Sequence, residues 1–200
     1  MNKMANKFSN LKRELFLVRR LLEESYGPRY WWSYIKNRFF GRMFLPWVPK
    51  FDYQADPDLE LHTICNKKDL WMLVWMLCSF LTLSKLRPVI VITDDGTLDK
   101  ATEKLIQSKF SNVKIMFKDE TTKRIMAMPD VPEIIKKARR ECHFFLDKLI
   151  NPVVFSKAKK IIITDTDILF YKFPTEVVDF VNGRTNYDAL VQRQGKGEAE

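Results

Sequence analysis

Two β-branched runs, each stopping at a pair of acids, constrain this chain more than any other feature. "PVIVIT" (88–93) leads into "DDGTLD", and "KKIIITDTD" carries three isoleucines into Asp165 and Asp167. Unbroken apolar runs of this kind suit strands covered on both faces, as in parallel sheets. Helical patterns lie between them. "LHTIC" (61–65) reads as a short strand and "KDLWMLVWMLCSFLTLSK" (68–85) as a buried helix. Then come a helix over 98–110, a strand over 112–117 and one long helix over 131–150. A further helix opens at Pro174, and "DALVQ" (188–192) reads as a last strand. Strands alternating with helices predict an α/β domain over 61–200, with a mainly parallel, Rossmann-like sheet flanked by helices.

Charge divides the chain differently. Residues 1–50 hold eleven Lys/Arg against Glu14, Glu23 and Glu24, which is eight of the nine net positive charges. Basicity confined to one segment argues against nucleic acid as a partner. Apolar residues at Leu11, Leu15, Val18, Leu21 and Leu22 make 8–26 an amphipathic helix, ended near Gly27 and Pro28. This basic, aromatic extension either packs on the domain or lies on an anionic membrane surface, with Trp31, Trp32, Phe39, Phe40 and Trp47 at the interface. Residues 51–60, rich in proline and acids, read as a linker. The longest apolar run, Trp71–Leu83, is 13 residues, too short to span a bilayer, and its Trp and Met side chains read as core. Charges interrupt the N-terminus where a signal peptide would be apolar. Cys65, Cys78 and Cys142 have no metal spacing and suit reduced core thiols, hence a cytoplasmic protein, or one peripheral on the inner face of a membrane.

Ligands of open α/β sheets bind beyond the carboxyl ends of the strands. Asp94 and Asp95 end one strand, and Asp165 and Asp167 end another, so both pairs fall on that rim. Residues i and i+2 of an extended segment share a side, which aims Asp165 and Asp167 at one point with Thr166 turned away. Two hard oxygen ligands suit Mg²⁺ or Mn²⁺, completed by water and phosphate oxygens. A metal held there neutralises charge on a departing diphosphate. An unpaired carboxylate beside a core strand is costly to desolvate, so something should sit opposite it. D-x-D by itself also occurs in loops by chance.

"KKIIITDTDILFYKFP" resembles the D-x-D region of nucleotide-sugar glycosyltransferases of the A-type fold. "VIVITDDGTLDK" resembles the same family's turn after the second strand, and "HTICNKKDLWMLVWMLCSF" its first strand and helix. The resemblance covers about residues 61–192. It implies a UDP-sugar donor, with Asp165 and Asp167 holding the metal and diphosphate. Donor contacts would come from Thr63, Cys65, Asp94 or Asp95, Arg124, Lys148, Asp165 and Thr166. Lys148, in "FFLDKLI", would be the basic residue approaching the donor. The family's acceptor-binding half, with a later histidine ligand and a catalytic base, has no counterpart here. The chain runs 33 residues past Asp167, and its two histidines, His62 and His143, lie upstream. The expectation is therefore a donor-binding half acting on an unknown acceptor.

Two alternatives stand beside it. One is a non-catalytic nucleotide-binding module. The other is a haloacid-dehalogenase-type phosphatase, since "TDDGTL" looks like its D-x-D-G-T-L loop. Thr93, however, occupies the position of the nucleophilic aspartate. His62 reads as a strand residue near the pocket edge, and His143 as a packed helical histidine. Arg139 and Arg140 read as a solvated helix face, and Arg124, after the third strand, as either a diphosphate contact or exposed helix charge.

Overall fold

The computed structural model describes residues 41–141 and 146–190. The chain divides into two compact units, Met1–Pro46 and Trp47–Glu200, and the second holds the sheet. The helix expected over 8–26 and the aromatic stretch up to residue 40 lie outside the described residues. So do His143 and Cys142.

Strand β1 (Asp56–Cys65) leads to α1 (Leu70–Ser84), β2 (Pro88–Asp94), α2 (Lys100–Lys109) and β3 (Val113–Met116). Then follow α3 (Lys118–Ala127), α4 (Glu133–Glu141), α5 (Asp147–Phe155), β4 (Lys160–Ile163) and α6 (Thr175–Val181). The strands form one sheet in the order β3-β2-β1-β4, and every pairing is parallel. This is the Rossmann-like α/β architecture expected from the alternating pattern.

The core follows from the runs that predicted it. Leu59, Leu61, Ile64, Ile90 and Ile92 are buried on β1 and β2, and Leu73, Met76, Leu77 and Phe80 are buried on α1. Each such side chain contributes about 1.5–3 kcal/mol on leaving water. Side chains also set the helix ends. Asn66 Oδ1 accepts from the N–H groups of Lys68 and Asp69 ahead of α1. Asp99 caps α2 by accepting from Thr102 N at 2.8 Å.

The structure departs from these expectations in several places. Residues 51–60 are not a linker: β1 begins at Asp56, and Phe51 bridges Phe110, stacks on its ring and bonds to Lys109 and Ser111. Helix α3 was not anticipated, because its inward face is only Thr121 and Ile125 in a polar ten-residue segment. Within the expected 131–150 helix, 133–141 form α4 and 147–150 belong to α5, 142–145 lie outside the described residues, and α5 continues through Pro152 to Phe155. Finally, β4 is an edge strand, with Ile163 41% exposed. Residues 188–190 of the expected last strand are not extended ladder, and 191–192 lie outside the described residues.

Candidate functional site

The connection pattern fixes where a ligand belongs. From β1 the chain steps to β2 and β3 on one side, while β4 lies on the other side of β1. The switch point is therefore between β1 and β4, and the crevice at their carboxyl ends is the favoured ligand position. Thr164, Asp165, Thr166 and Asp167 follow β4 directly into that region, and Asp94 and Asp95 close β2 beside it.

The two acid pairs differ in what they do locally. Asp94 is buried, and its Oδ1 accepts from the backbone N–H groups of Gly96 (2.8 Å), Thr97 (3.0 Å) and Leu98 (2.9 Å). Its Oδ2 lies 3.4 Å from Lys118 N. Asp94 is thus consumed in holding its own turn. Asp95 is half-buried and accepts from Thr97 N and Oγ1 through Oδ1 only. Its Oδ2 has no hydrogen bond among the described residues. Thr97 Oγ1 also accepts from Lys67 N at 2.9 Å, which ties this turn to the β1–α1 loop. Gly96 has φ +103°, a left-handed geometry that disfavours any Cβ.

After β4 the pattern is open. Thr164 is buried, and its N–H extends the ladder to His62 O at 3.0 Å. Asp165 and Asp167 are exposed with Thr166 half-buried between them, and the chain turns at Thr166–Asp167. Lys148 Nζ contacts Asp165 Oδ1, and because both carboxylates face solvent the desolvation cost expected of the pair does not arise. Asp167 pairs with no cation among the described residues. Lys148 reaches the rim because α5 runs down into β4, so its first turn stands at the carboxyl ends of the strands.

Other candidates lie elsewhere. Thr63 and Cys65 are buried beneath the rim on the central strand. The Thr63 hydroxyl has no partner among the described residues, and burial, with the nearby charges of Asp69, Asp95 and Asp94, pushes the Cys65 thiol up. Arg124 does not face the rim. Its guanidinium lies 4.6 Å over the Phe155 ring, at the end of α5 that leads into the start of β4. Arg139 is not solvated helix face but is buried, paired with Asp147 and bonded to Thr121 Oγ1 (2.6 Å), Thr122 Oγ1 (3.0 Å) and Asn151 Oδ1 (3.3 Å). Burial raises the Asp147 carboxyl against the pull of Arg139. Asn151 in turn donates to Thr93 Oγ1 at 3.1 Å, so this network braces the end of β2. Arg140 is exposed, as expected.

Lys118 went unnoticed in the sequence, yet its Nζ lies 3.4 Å from Asp95 O on the same rim. A basic residue directly after a strand was the available signal. His62 is buried under the rim, with Nε2 2.7 Å from Glu60 Oε2 and Nδ1 without a partner among the described residues. An orphaned buried N–H would be costly, so the proton sits on Nε2 and Nδ1 is bare. Burial lowers the His62 pKa although Glu60 pulls it up.

Among the described residues no group of three or more His, Cys, Asp or Glu side chains is placed to hold a metal. The chain turns at Thr166–Asp167, so the extended geometry expected to aim Asp165 and Asp167 at one point is not kept; two carboxylates, with phosphate and water in the other positions, remain the donor chemistry that such an ion takes. The Lys148 ammonium, seated on Asp165, already marks a cation position there. Compared with protein-family models, curated proteins and solved structures, the chain matches none. No helix of the described residues is long and apolar enough to cross a membrane.

Proposed function

We propose that this domain binds a UDP-sugar through Mn²⁺ or Mg²⁺ and transfers the sugar to an acceptor, as a glycosyltransferase-like donor domain. The observation that supports this reading best is the exposed Asp165/Asp167 pair beside the β1–β4 switch point of a parallel sheet. Asp165 and Asp167 would hold the metal, which when bound neutralises the leaving diphosphate. Asp95 suits a base-reading role better than Asp94, because a carboxylate oxygen is left to accept an N–H from the base. Lys148 and Lys118 supply positive charge for phosphate oxygens. Thr63 and Cys65 shape the floor and do not offer polar atoms to solvent. The N-terminal segment, by its charge and aromatic content, would rest on an anionic membrane surface on the cytoplasmic side.

Calorimetry tests the reading. UDP should bind with Mn²⁺ and far more weakly without it, and Asp167→Ala should abolish the metal-dependent part. Metal-independent binding would overturn it. A non-catalytic nucleotide-binding module is the second reading, favoured by the lack of a third metal-ligating side chain among the described residues. Slow release of sugar from a UDP-sugar, lost in Asp167→Ala, separates the two. Phosphatase chemistry is disfavoured by Thr93, whose buried hydroxyl is engaged by Asn151 where a nucleophilic carboxylate would be needed. Turnover of p-nitrophenyl phosphate is therefore not expected.

A further inference from the structure

Lys148 and Asp165 form an ion pair at the point where the metal and the diphosphate would meet. We propose that Lys148 is an exchangeable counter-ion, seated on Asp165 before loading and on the donor's diphosphate afterwards, so that metal and nucleotide bind cooperatively. This rests on the nucleotide-sugar reading of the site and adds the coupling between its two ligands.

Three observations carry it. The Lys148 side chain is 20% exposed and Asp165 is 55% exposed, so a largely shielded ammonium reaches out to a carboxylate that solvent can still approach. Lys148 has no other acid among the described residues, because its neighbour Asp147 is locked to buried Arg139. Asp167, the other rim acid, carries no cation. A divalent ion arriving alone must therefore displace the ammonium from Asp165. It would then stand beside a like charge with no anion to take it. A diphosphate supplies that anion. The ammonium moves to a phosphate oxygen, Asp165 turns wholly to the metal, and each ligand relieves a cost the other would meet. Linkage makes the effect reciprocal.

The full chain decides it, with free Mn²⁺ read by electron paramagnetic resonance, with and without UDP. Lys148→Met should bind Mn²⁺ alone on the order of tenfold more tightly than the unmodified chain, and UDP at saturating Mn²⁺ on the order of tenfold more weakly. Lys148→Arg, which keeps a cation, should hold the original pattern. If UDP binds with Mn²⁺ but Lys148→Met leaves metal-alone affinity unchanged, the exchange falls and the nucleotide reading survives. If Lys148→Met tightens Mn²⁺ but neither protein binds UDP, the nucleotide reading falls and takes the second half of the exchange with it. Should Lys148→Met fail to fold, amine labelling of the unmodified chain gives the same decision by mass spectrometry. Mn²⁺ alone should raise labelling of Lys148 and UDP with Mn²⁺ should suppress it; labelling indifferent to both overturns the proposal.

Discussion

The turn after β2 and the segment after β4 start from the same sequence idea, an isoleucine-rich strand running into two acids, and put it to opposite use. After β2 the first acid is buried and gives one oxygen to three backbone N–H groups. After β4 both acids face solvent, and among the described residues the one charge held against either is Lys148 on Asp165. An acid pair at a strand end is thus ambiguous from sequence. What separates the two cases is whether the following residues fold back as donors. "DDGT" does so because Gly96 accepts a left-handed φ; "DTDI" has no positive φ recorded and leads away.

The largest difference should appear in stability. Asp94→Ala removes the buried carboxylate that three part-buried backbone donors share and should cost about 3 kcal/mol in urea unfolding. Asp165→Ala loses one half-exposed ion pair and should cost less than about 1 kcal/mol. Equal losses would mean that the segment after β4 is also built around its carboxylate, and its claim to a ligand would weaken.

A smaller effect tests the backbone. Gly96→Ala places a Cβ 3.3 Å from Lys118 Cδ at φ +103° and should cost about 1–2 kcal/mol. Thr166→Ala, between the other two acids, should stay within about 0.5 kcal/mol. UDP binding should follow the reverse order, with Thr166→Ala felt more than its stability suggests. A Gly96→Ala protein as stable as the original would show that the turn is held by Asp94 alone.

The sequence made the sheet readable because buried parallel strands leave continuous β-branched runs, and Ile90, Ile92 and Leu61 sit where those runs placed them. The open edge at β4 was not readable. "KIII" is as apolar as "VIVI", and only the strand order shows that one has a neighbour on each side and the other does not. Arg139 was misjudged for a related reason. "KKARR" carries no mark of which charge turns inward; that is set by Asp147, Thr121 and Asn151 on neighbouring helices. Asp165 and Asp167 were legible as rim acids, but the desolvation cost read from the apolar run was not, because β4 is an edge strand and both acids face solvent. The choice of Asp95 over Asp94 needed hydrogen-bond geometry that a string of letters does not hold.

The smallest expected effect is a change of slope with pH, and it asks whether the rim acids or the strand beneath them govern acid stability. His62 lies on β1, which pairs with β2 through Val91 and accepts Thr164 N, so it touches the supports of both acid pairs. Burial holds its pKa below the ordinary 6.5. As pH falls through 6.5 the unfolded chain takes up the proton first, so protonation favours unfolding and stability declines until the folded value is passed. Glu60 acts later. Burial raises its carboxyl, but the bonds from Ser156 and His62 prevail and hold it below 4.5, so its contribution persists above 4.5 and is lost only beneath that. Among the described residues His62 therefore lowers stability as pH falls from 7 to 5, while Asp147, whose carboxyl burial raises, acts in the opposite sense. Urea midpoints should fall across that interval in the unmodified chain and in Asp165→Ala alike, and His62→Gln should flatten the fall. Glutamine can keep the bond to Glu60 without titrating, so the flattening would report the lost proton and not the lost packing. If Asp165→Ala flattens the slope as much as His62→Gln, the carboxylate after β4 is part of the scaffold, and the contrast between the two acid pairs fails.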